Sequence, residues 1–339
     1  MALEKAKVVV TGAAGFIGSH LAESLIREGY HVIGIDSFTN YYPRTTKELN
    51  LKSLLASPDF DFIEGDLLEI DLAALLRGAR YVFHEAAQAG VRGSWGDSFE
   101  IYMRNNIFAT QKLLESVKDL RSLSCLIFAS SSSIYGDAEK FPTSEKALPK
   151  PVSPYGVTKL ACEHLCRVYQ KSFGVPITIL RYFTVYGPRQ RPDMAFYRFI
   201  KAMTQKRQFT VYGNGEQTRN FTYISDIVEA NILAMKNSPS GEIFNIGGGT
   251  QISVNKVIRL LEGILGYKAS IQYSDWQKGD AYHTGADVSY AKHKLGYVPK
   301  INIKEGLQKQ VEWQVSRIEE KQMKESKSIR RRAVAKPKY

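Results

Sequence analysis

The sequence predicts an α/β protein built on a doubly wound parallel sheet, and three features carry that reading. An apolar run of strand length, Lys7-Val8-Val9-Val10, enters a turn with glycines at Gly12, Gly15 and Gly18. Phe16, Ile17, Leu21, Leu25 and Ile26 then recur at helical spacing up to Gly29, a helix-ending residue. A second apolar run over 31–35 ends on Asp36. Strand, glycine turn, helix and strand in that order form the unit that parallel sheets repeat.

Further strands are expected at 61–63, 80–84, 125–129, 177–180 and 242–246, with helices over 99–117 and 154–173. Ligands of such sheets bind beyond the carboxyl ends of the strands, which singles out Gly12, Asp36, Asp66, Ala86, Ser131 and Tyr182. After Tyr186-Gly187-Pro188 the alternation loosens, and a smaller substrate-binding lobe is expected. Residues 221–235 again read as a strand end plus a helix, so the two lobes interleave in sequence. The expected organisation is a Rossmann-type dinucleotide-binding domain over 1–186 that also receives about 221–247. A substrate lobe mainly over 187–316 and a basic, mobile tail over 317–339 complete it.

Composition narrows the partners. The 339 residues carry a formal net charge of +12, but the stretch from Arg317 onward has nine Lys/Arg against three Glu, a net +6. What remains is spread over a body that would hold a polyanionic nucleotide, so no nucleic-acid partner is required. No apolar run reaches membrane-spanning length, and residues 8–10 lie too near the glycine turn to form a signal core. Of three cysteines, Cys162 and Cys166 are one helical turn apart without histidines at ligand spacing. Neither a metal site nor a disulfide framework follows, and a cytoplasmic protein is expected.

The small residues at 12, 15 and 18 let a backbone approach a pyrophosphate whose charge the helix N-terminus stabilises. Asp36, eighteen residues past Gly18, is placed to accept hydrogen bonds from ribose hydroxyls. No basic residue follows it directly, so a 2′-phosphate is repelled and NAD is favoured over NADP. Ser153-Pro154 opens a helix as N-cap and first-turn residue, which puts Tyr155 and Lys159 on one face at i, i+4. A phenol with its ordinary pKa near ~10 is a poor base at neutral pH. A unit cation ~4 Å away at an effective dielectric of ~20 contributes about 4 kcal/mol, enough to change that. The same Y-x-x-x-K spacing recurs at Tyr197/Lys201 and Tyr290/Lys294, where it reads as ordinary helix surface. Only Tyr155 also follows a strand ending in Ser130-Ser131-Ser132-Ser133-Ile134-Tyr135-Gly136, which brings serine hydroxyls beside it. Ser, Tyr and Lys beside a dinucleotide suit hydride chemistry at an alcohol.

With these pieces in place, residues 7–315 resemble an extended short-chain dehydrogenase/reductase of the NAD-dependent nucleotide-sugar epimerase/dehydratase family. The matching segments are TGAAGFIGSHL with Asp36, Gly65-Asp66-Leu67, Ala86-Ala87, Asn106 with Thr110, SSSSIYG, YGVTK, RYFTVYGP and Arg219-Asn220-Phe221-Thr222-Tyr223. The resemblance implies a cofactor site of Gly12, Gly15, Phe16, Ile17, Gly18, Asp36, Tyr155 and Lys159. It further implies that Asp66 and Leu67 flank the adenine, that Ala86 and Ala87 lie under the pyrophosphate, and that Asn106 and Tyr182 line the nicotinamide region. Glu85 departs from the pattern, which usually has an apolar residue there. A homodimer joined through the helices of 99–117 and 154–173 is likewise implied.

The serine run separates relatives by reaction. Family dehydratases carry Asp-Glu at the positions of Ser132 and Ser133, and decarboxylases usually carry Glu at the latter. Two serines leave 4-epimerisation, with Ser131 and Ser132 as hydrogen-bond partners of the sugar O4 and Ser133 also in the substrate site. The segments from Gln88 to Ser94 and from Gly187 to Ala195, together with Gln277 and Asp280, resemble UDP-glucuronate 4-epimerases. The resemblance puts a UDP-uronic acid among Arg92, Thr184, Arg189, Arg191 and Arg219, with Arg219 on the phosphates, Arg191 and Arg92 near the sugar carboxylate, and Thr184 with Arg191 restraining it. Guanidinium groups suit both diphosphate and carboxylate. Alternatives are a UDP-glucuronate decarboxylase, a UDP-hexose 4-epimerase, or a non-catalytic NAD- or RNA-binding relative.

Overall fold

The computed structural model describes residues 5–334. Seven parallel strands carry the architecture: β1 (Lys7–Thr11), β2 (His31–Asp36), β3 (Phe60–Glu64), β4 (Tyr81–His84), β5 (Cys125–Ser131), β6 (Ile177–Tyr182) and β7 (Ile243–Ile246). They lie in the order β7-β6-β5-β4-β1-β2-β3, so the chain reverses its winding between β1 and β4. Thr11 pairs with His84 and Ser131 with Tyr182, which aligns the carboxyl ends along one edge. Crevices at such a reversal are where open α/β sheets bind ligands.

Both faces of the sheet are covered, so its strands are apolar on both sides. Val8 and Val10 pack with α1 (Phe16–Arg27) and α5 (Ile224–Asn237), whereas Val9 turns to the opposite core. That second core includes Leu113 and Val117 of α3 (Ala109–Val117) and Cys162 and Cys166 of α4 (Pro154–Phe173). The expected helix over 99–117 is not uniformly α: Met103–Phe108 is π-helical between Phe99–Tyr102 and α3. α4 begins as expected, with Ser153 Oγ accepting from Gly156 N at 3.1 Å and Pro154 in the first turn.

The basic stretch from 317, expected to be mobile, is helical as far as Val334. Helix α6 spans Ile303–Val334, because Lys, Arg and Glu are good helix formers and pairs such as Arg317–Glu320 (2.9 Å) support the turn. Its start is docked: Gln310 Oε1 accepts from Gly187 N at 3.0 Å, and Gln314 Nε2 donates to Tyr197 O at 2.9 Å. Residues 335–339 of the tail lie outside the described residues.

One buried ion pair locks the site-bearing helix to the sheet. Arg181 of β6 donates to Glu163 of α4 through Nε (3.0 Å) and Nη2 (2.7 Å), and both side chains are at most 5% exposed. Ser130 Oγ also donates to Glu163, and Arg181 Nη1 donates to Tyr135 Oη at 2.6 Å. Every member is thereby satisfied, whereas an unpaired guanidinium at this depth is costly. Glu163→Ala should lower unfolding free energy by about 3–5 kcal/mol in urea titrations. Replacing Glu163 and Arg181 together with methionine should restore most of it.

Candidate active site

The turn between β1 and α1 is shaped for close backbone approach. Gly12 has φ +71°, and a Cβ there would lie 2.8 Å from Ala86 N. A Cβ at Gly18 would collide with the Gly12 carbonyl oxygen. Side chains at either position would fill the cradle, so the turn fits a dinucleotide pyrophosphate. From there a cleft runs along the carboxyl ends of the strands. Gly15, Phe16, Ile17, Asp36, Asp66, Leu67, Ala86, Ala87, Tyr155, Lys159 and Tyr182 all line it, together with Arg191.

At one end Asp36 accepts from Ala14 N (3.2 Å) and Phe38 N (2.8 Å), so the acid also braces the glycine turn. Lys47, on α2 (Arg44–Leu51), is buried and donates to Asp36 Oδ1 at 3.2 Å. Sequence reasoning missed this cation, because it arrives from a separate helix rather than from the residue after Asp36. At the other end Lys159 is buried, and its Nζ donates to Ala129 O at 2.7 Å. The Tyr155 ring packs edge-on against Tyr102, with centroids 6.2 Å apart.

Asn106 lies behind the cleft wall, whereas its neighbour Asn105 lines it. The π-helical turn points Asn106 inward, where Oδ1 accepts from Gln88 N (2.7 Å) and Nδ2 donates to Thr158 Oγ1 (2.9 Å). It therefore positions the segment carrying Gln88, which is itself in the cleft wall. Ser131 caps the 3₁₀ turn of Ser132–Ile134, accepting from Ser133 N and donating to Ser133 Oγ, both at 3.1 Å. That turn abuts the start of α4, where a Cβ at Gly156 would meet Ser133 O at 2.5 Å. Ser130 and Ala129 reach the cleft wall directly.

Arg191 lies in the cleft and forks onto Asp193, both bonds at 3.0 Å, while Tyr41 donates to the same carboxylate at 3.2 Å. Despite burial, Asp193 holds the Arg191 guanidinium above its usual range. Thr184 sits in the β6 outlet, its carbonyl accepting from Thr222 N at 2.9 Å. Arg189 pairs with Glu23 (2.7 Å) and Ser19 (3.2 Å) on α1, so it ties the segment after Gly187 to that helix. Arg92 donates to Asp280 at 2.6 Å and lies 4.3 Å from the Tyr212 ring centre. Burial, opposed by Asp280 and aided by Arg92, lowers the Arg219 pKa from its usual value. Arg92 and Arg219 both face Asp280, and Asp137 also acts on Arg219, beside Gln277, whose carbonyl accepts from Asp280 N at 3.3 Å. Guanidinium groups of this kind suit an anion through paired hydrogen bonds. Tyr197 and Tyr290 lie on the separate helices Ala195–Thr204 and Ser289–Leu295, away from the cleft wall.

Residues 8–247 match the model of the NAD dependent epimerase/dehydratase family. The chain belongs to that family. It is 50% identical over 308 residues to the uncharacterized UDP-glucose epimerase YtcB of Bacillus subtilis, covering 90% of this chain and 96% of that one. It is 40% identical over 317 residues to a UDP-glucuronate 4-epimerase of Thermodesulfobacterium geofontis, covering 92% and 97%. The crystal structure of UDP-glucuronic acid 4-epimerase from Bacillus cereus, in complex with UDP-glucuronic acid and NAD, superimposes with a TM-score of 0.89 at 47% identity, covering 91% of this chain and 99% of that one.

Beneath the site, His84 is enclosed between Thr11 Oγ1 (2.8 Å) and Thr110 Oγ1 (3.0 Å). Burial, and then the Lys159 charge, push its pKa from 6.5 down to about 3. The folded protein keeps it neutral, whereas the unfolded chain charges it below pH 6.5. Its contribution to stability is therefore complete above pH 6.5 and falls as pH drops toward 3. In urea unfolding below pH 6.5, the wild type should lose up to about 1.4 kcal/mol per pH unit through this group. His84→Asn should lack that component of the slope.

Proposed function

We propose that the chain interconverts UDP-glucuronate and UDP-galacturonate by epimerisation at C4. The observation that carries this reading is Arg191, a partly buried guanidinium in the same cleft as Tyr155 and Lys159, in a chain whose 3₁₀ turn after β5 carries serines and no carboxylate. NAD, held by the glycine turn, Asp36, Ala86, Ala87, Tyr182 and Lys159, supplies a hydride acceptor and donor for C4. Tyr155 takes the O4 proton and later returns it, with the Lys159 ammonium favouring the phenolate. The hydroxyls of the 131–133 turn hold O4. Arg219 holds the diphosphate, about which the keto sugar turns to present its other face. While C4 is a ketone, the uronic acid is a β-keto acid prone to lose CO₂. Arg191 and Thr184 restrain the carboxylate from aligning with the carbonyl π system. With serine at 132 and 133, no acid drives elimination.

A second reading, epimerisation of a neutral UDP-hexose, is favoured by one observation: Arg191 already has a carboxylate partner in Asp193. We also assign the chain to the cytoplasm and to a homodimer. Cys125, Cys162 and Cys166 are free, buried thiols, which suits a reducing compartment. Ile101 and Phe108 (54% exposed), with Val157 and Val168 (55% exposed), leave an apolar surface on the helical stretch 99–117 and on α4. Two such surfaces would pack isologously as a four-helix interface.

With UDP-glucuronate and no added NAD, the purified chain should form UDP-galacturonate, resolved chromatographically from UDP-xylose. Tyr155→Phe should reduce turnover by at least about 10²-fold, the scale of lost general-base catalysis, while retaining NAD. Conversion of UDP-glucose alone would replace the uronate assignment with the hexose one. Val168→Glu should halve the mass measured by sedimentation equilibrium; an unchanged mass would remove this interface.

A further inference from the structure

Glu85 is the one carboxyl in the cleft wall besides Asp36 and Asp66, among the described residues. Those two belong to the glycine-turn end, whereas Glu85 follows β4 and shares its part of the wall with Lys159 and Tyr182. Strand alternation sends His84 to the opposite face, toward Thr11 and Thr110. Glu85 Oε1 accepts from Tyr182 Oη at 2.7 Å, and Asn231 Nδ2 of α5 donates to that same oxygen at 2.7 Å. The amide and the phenol form a chain that ends on the carboxyl and fixes its direction. Nothing in an epimerisation needs this acid: it is not on the serine turn, and Tyr155 already moves the proton.

The oxidised nicotinamide ring carries a positive charge that the reduced ring lacks. A carboxylate held in a desolvated cleft interacts strongly with that difference. We propose that Glu85 is a charge-setting residue, whose carboxylate makes the catalytic end of the cleft prefer the oxidised dinucleotide over the reduced one. An epimerase must begin each cycle with oxidised cofactor and end with it, so this preference opposes release of the keto sugar from a reduced enzyme. The inference rests on the family's NAD dependence and not on which sugar is bound.

Charge on Glu85 depends on pH in the useful range. Burial pushes its carboxyl from 4.5 up to about 7, against the Tyr182 hydrogen bond and the Lys159 charge, which favour ionisation. From the elements packed around it, the facing groups are Tyr182 of β6 and Lys159 of α4, with neutral Asn231 behind Tyr182. Burial and the Glu85 charge keep the Tyr182 phenol well above its usual range, so Tyr182 remains a donor while Glu85 titrates. The preference should accordingly be full above neutrality and weaken as pH falls.

The test is equilibrium dialysis of the full chain against equimolar NAD⁺ and NADH across neutral pH, with the bound forms read by absorbance. Wild type should favour NAD⁺ increasingly as pH rises through neutrality. Glu85→Gln keeps the acceptor for Tyr182 but not the charge. It should lose several-fold to roughly tenfold of the preference at alkaline pH, and with it the neutral-pH step. Tyr182→Phe keeps the charge but not the donor, so its step should move to higher pH. Equal preference in wild type and Glu85→Gln, or a pH step that survives the substitution unaltered, overturns the assignment. Wild-type chain that binds neither form overturns the cofactor reading and this inference together.

Discussion

The site depends on one face of α4 being held against the ends of β5 and β6. Tyr155, Lys159 and Glu163 recur at intervals of four on that face, and each has a different task. Lys159 Nζ reaches the Ala129 carbonyl at 2.7 Å, so its charge is fixed by the last apolar turns of β5 rather than by a flexible stem. One turn on, Glu163 closes on Arg181 of β6 and on Ser130. Without that lock, neither the ammonium nor the phenol would keep its distance from the strand ends. A buried pair of this kind is a weak source of net stability but a strong constraint on register, because a helix shifted by one turn would leave a charge unpaired.

Much of this was legible from the chain because regular elements declare themselves through periodicity. The apolar runs placed the strands near their observed bounds, and Ser153-Pro154 marked the start of α4. The glycine turn, Asp36, Ala86, Ala87, Tyr155, Lys159 and Tyr182 all reach one cleft. What failed to show was whatever depends on direction within an element or on contact between distant ones. Asn106 and Asn105 are adjacent, and only the π-helical turn decides which faces the cleft. Arg189 lies two residues from Arg191, yet its positive φ of 66° sends it to Glu23 instead. Lys47 could not be read as a partner of Asp36, since no local pattern joins them. The helix that runs into the basic tail was not read from the sequence, because that stretch lacks an apolar face. Intrinsic helix propensity needs no such face to continue a helix that packing has already begun.

Charge along the cleft follows a consistent plan. Asp36 is neutralised from behind by Lys47 and remains a hydrogen-bond acceptor without a large field of its own. At the sugar-facing end, Lys159 supplies positive charge beside the phenol and Glu85 supplies negative charge behind it. Further out, Arg92 pairs with Asp280, and Arg219 lies in the field of both Asp280 and Asp137. The inner groups sit where water is largely excluded, so small displacements of charge carry more weight there than at the half-exposed Arg92.

Arg191 shows how such pairing limits selectivity. In the protein its guanidinium is already satisfied by Asp193 and lies beside Tyr41, so the desolvation cost of burying it is met before any sugar arrives. A uronate that reaches Arg191 competes with an internal carboxylate or shares the guanidinium edge with it. A neutral hexose simply leaves the internal pair intact. Discrimination is then the difference between two satisfied states, not between a paired and an unpaired charge. That difference is smaller than a bare arginine would give. On the proposed reading, what a uronate would gain at this position is therefore mainly orientation during the keto stage, where alignment of the C–C bond decides between epimerisation and loss of CO₂.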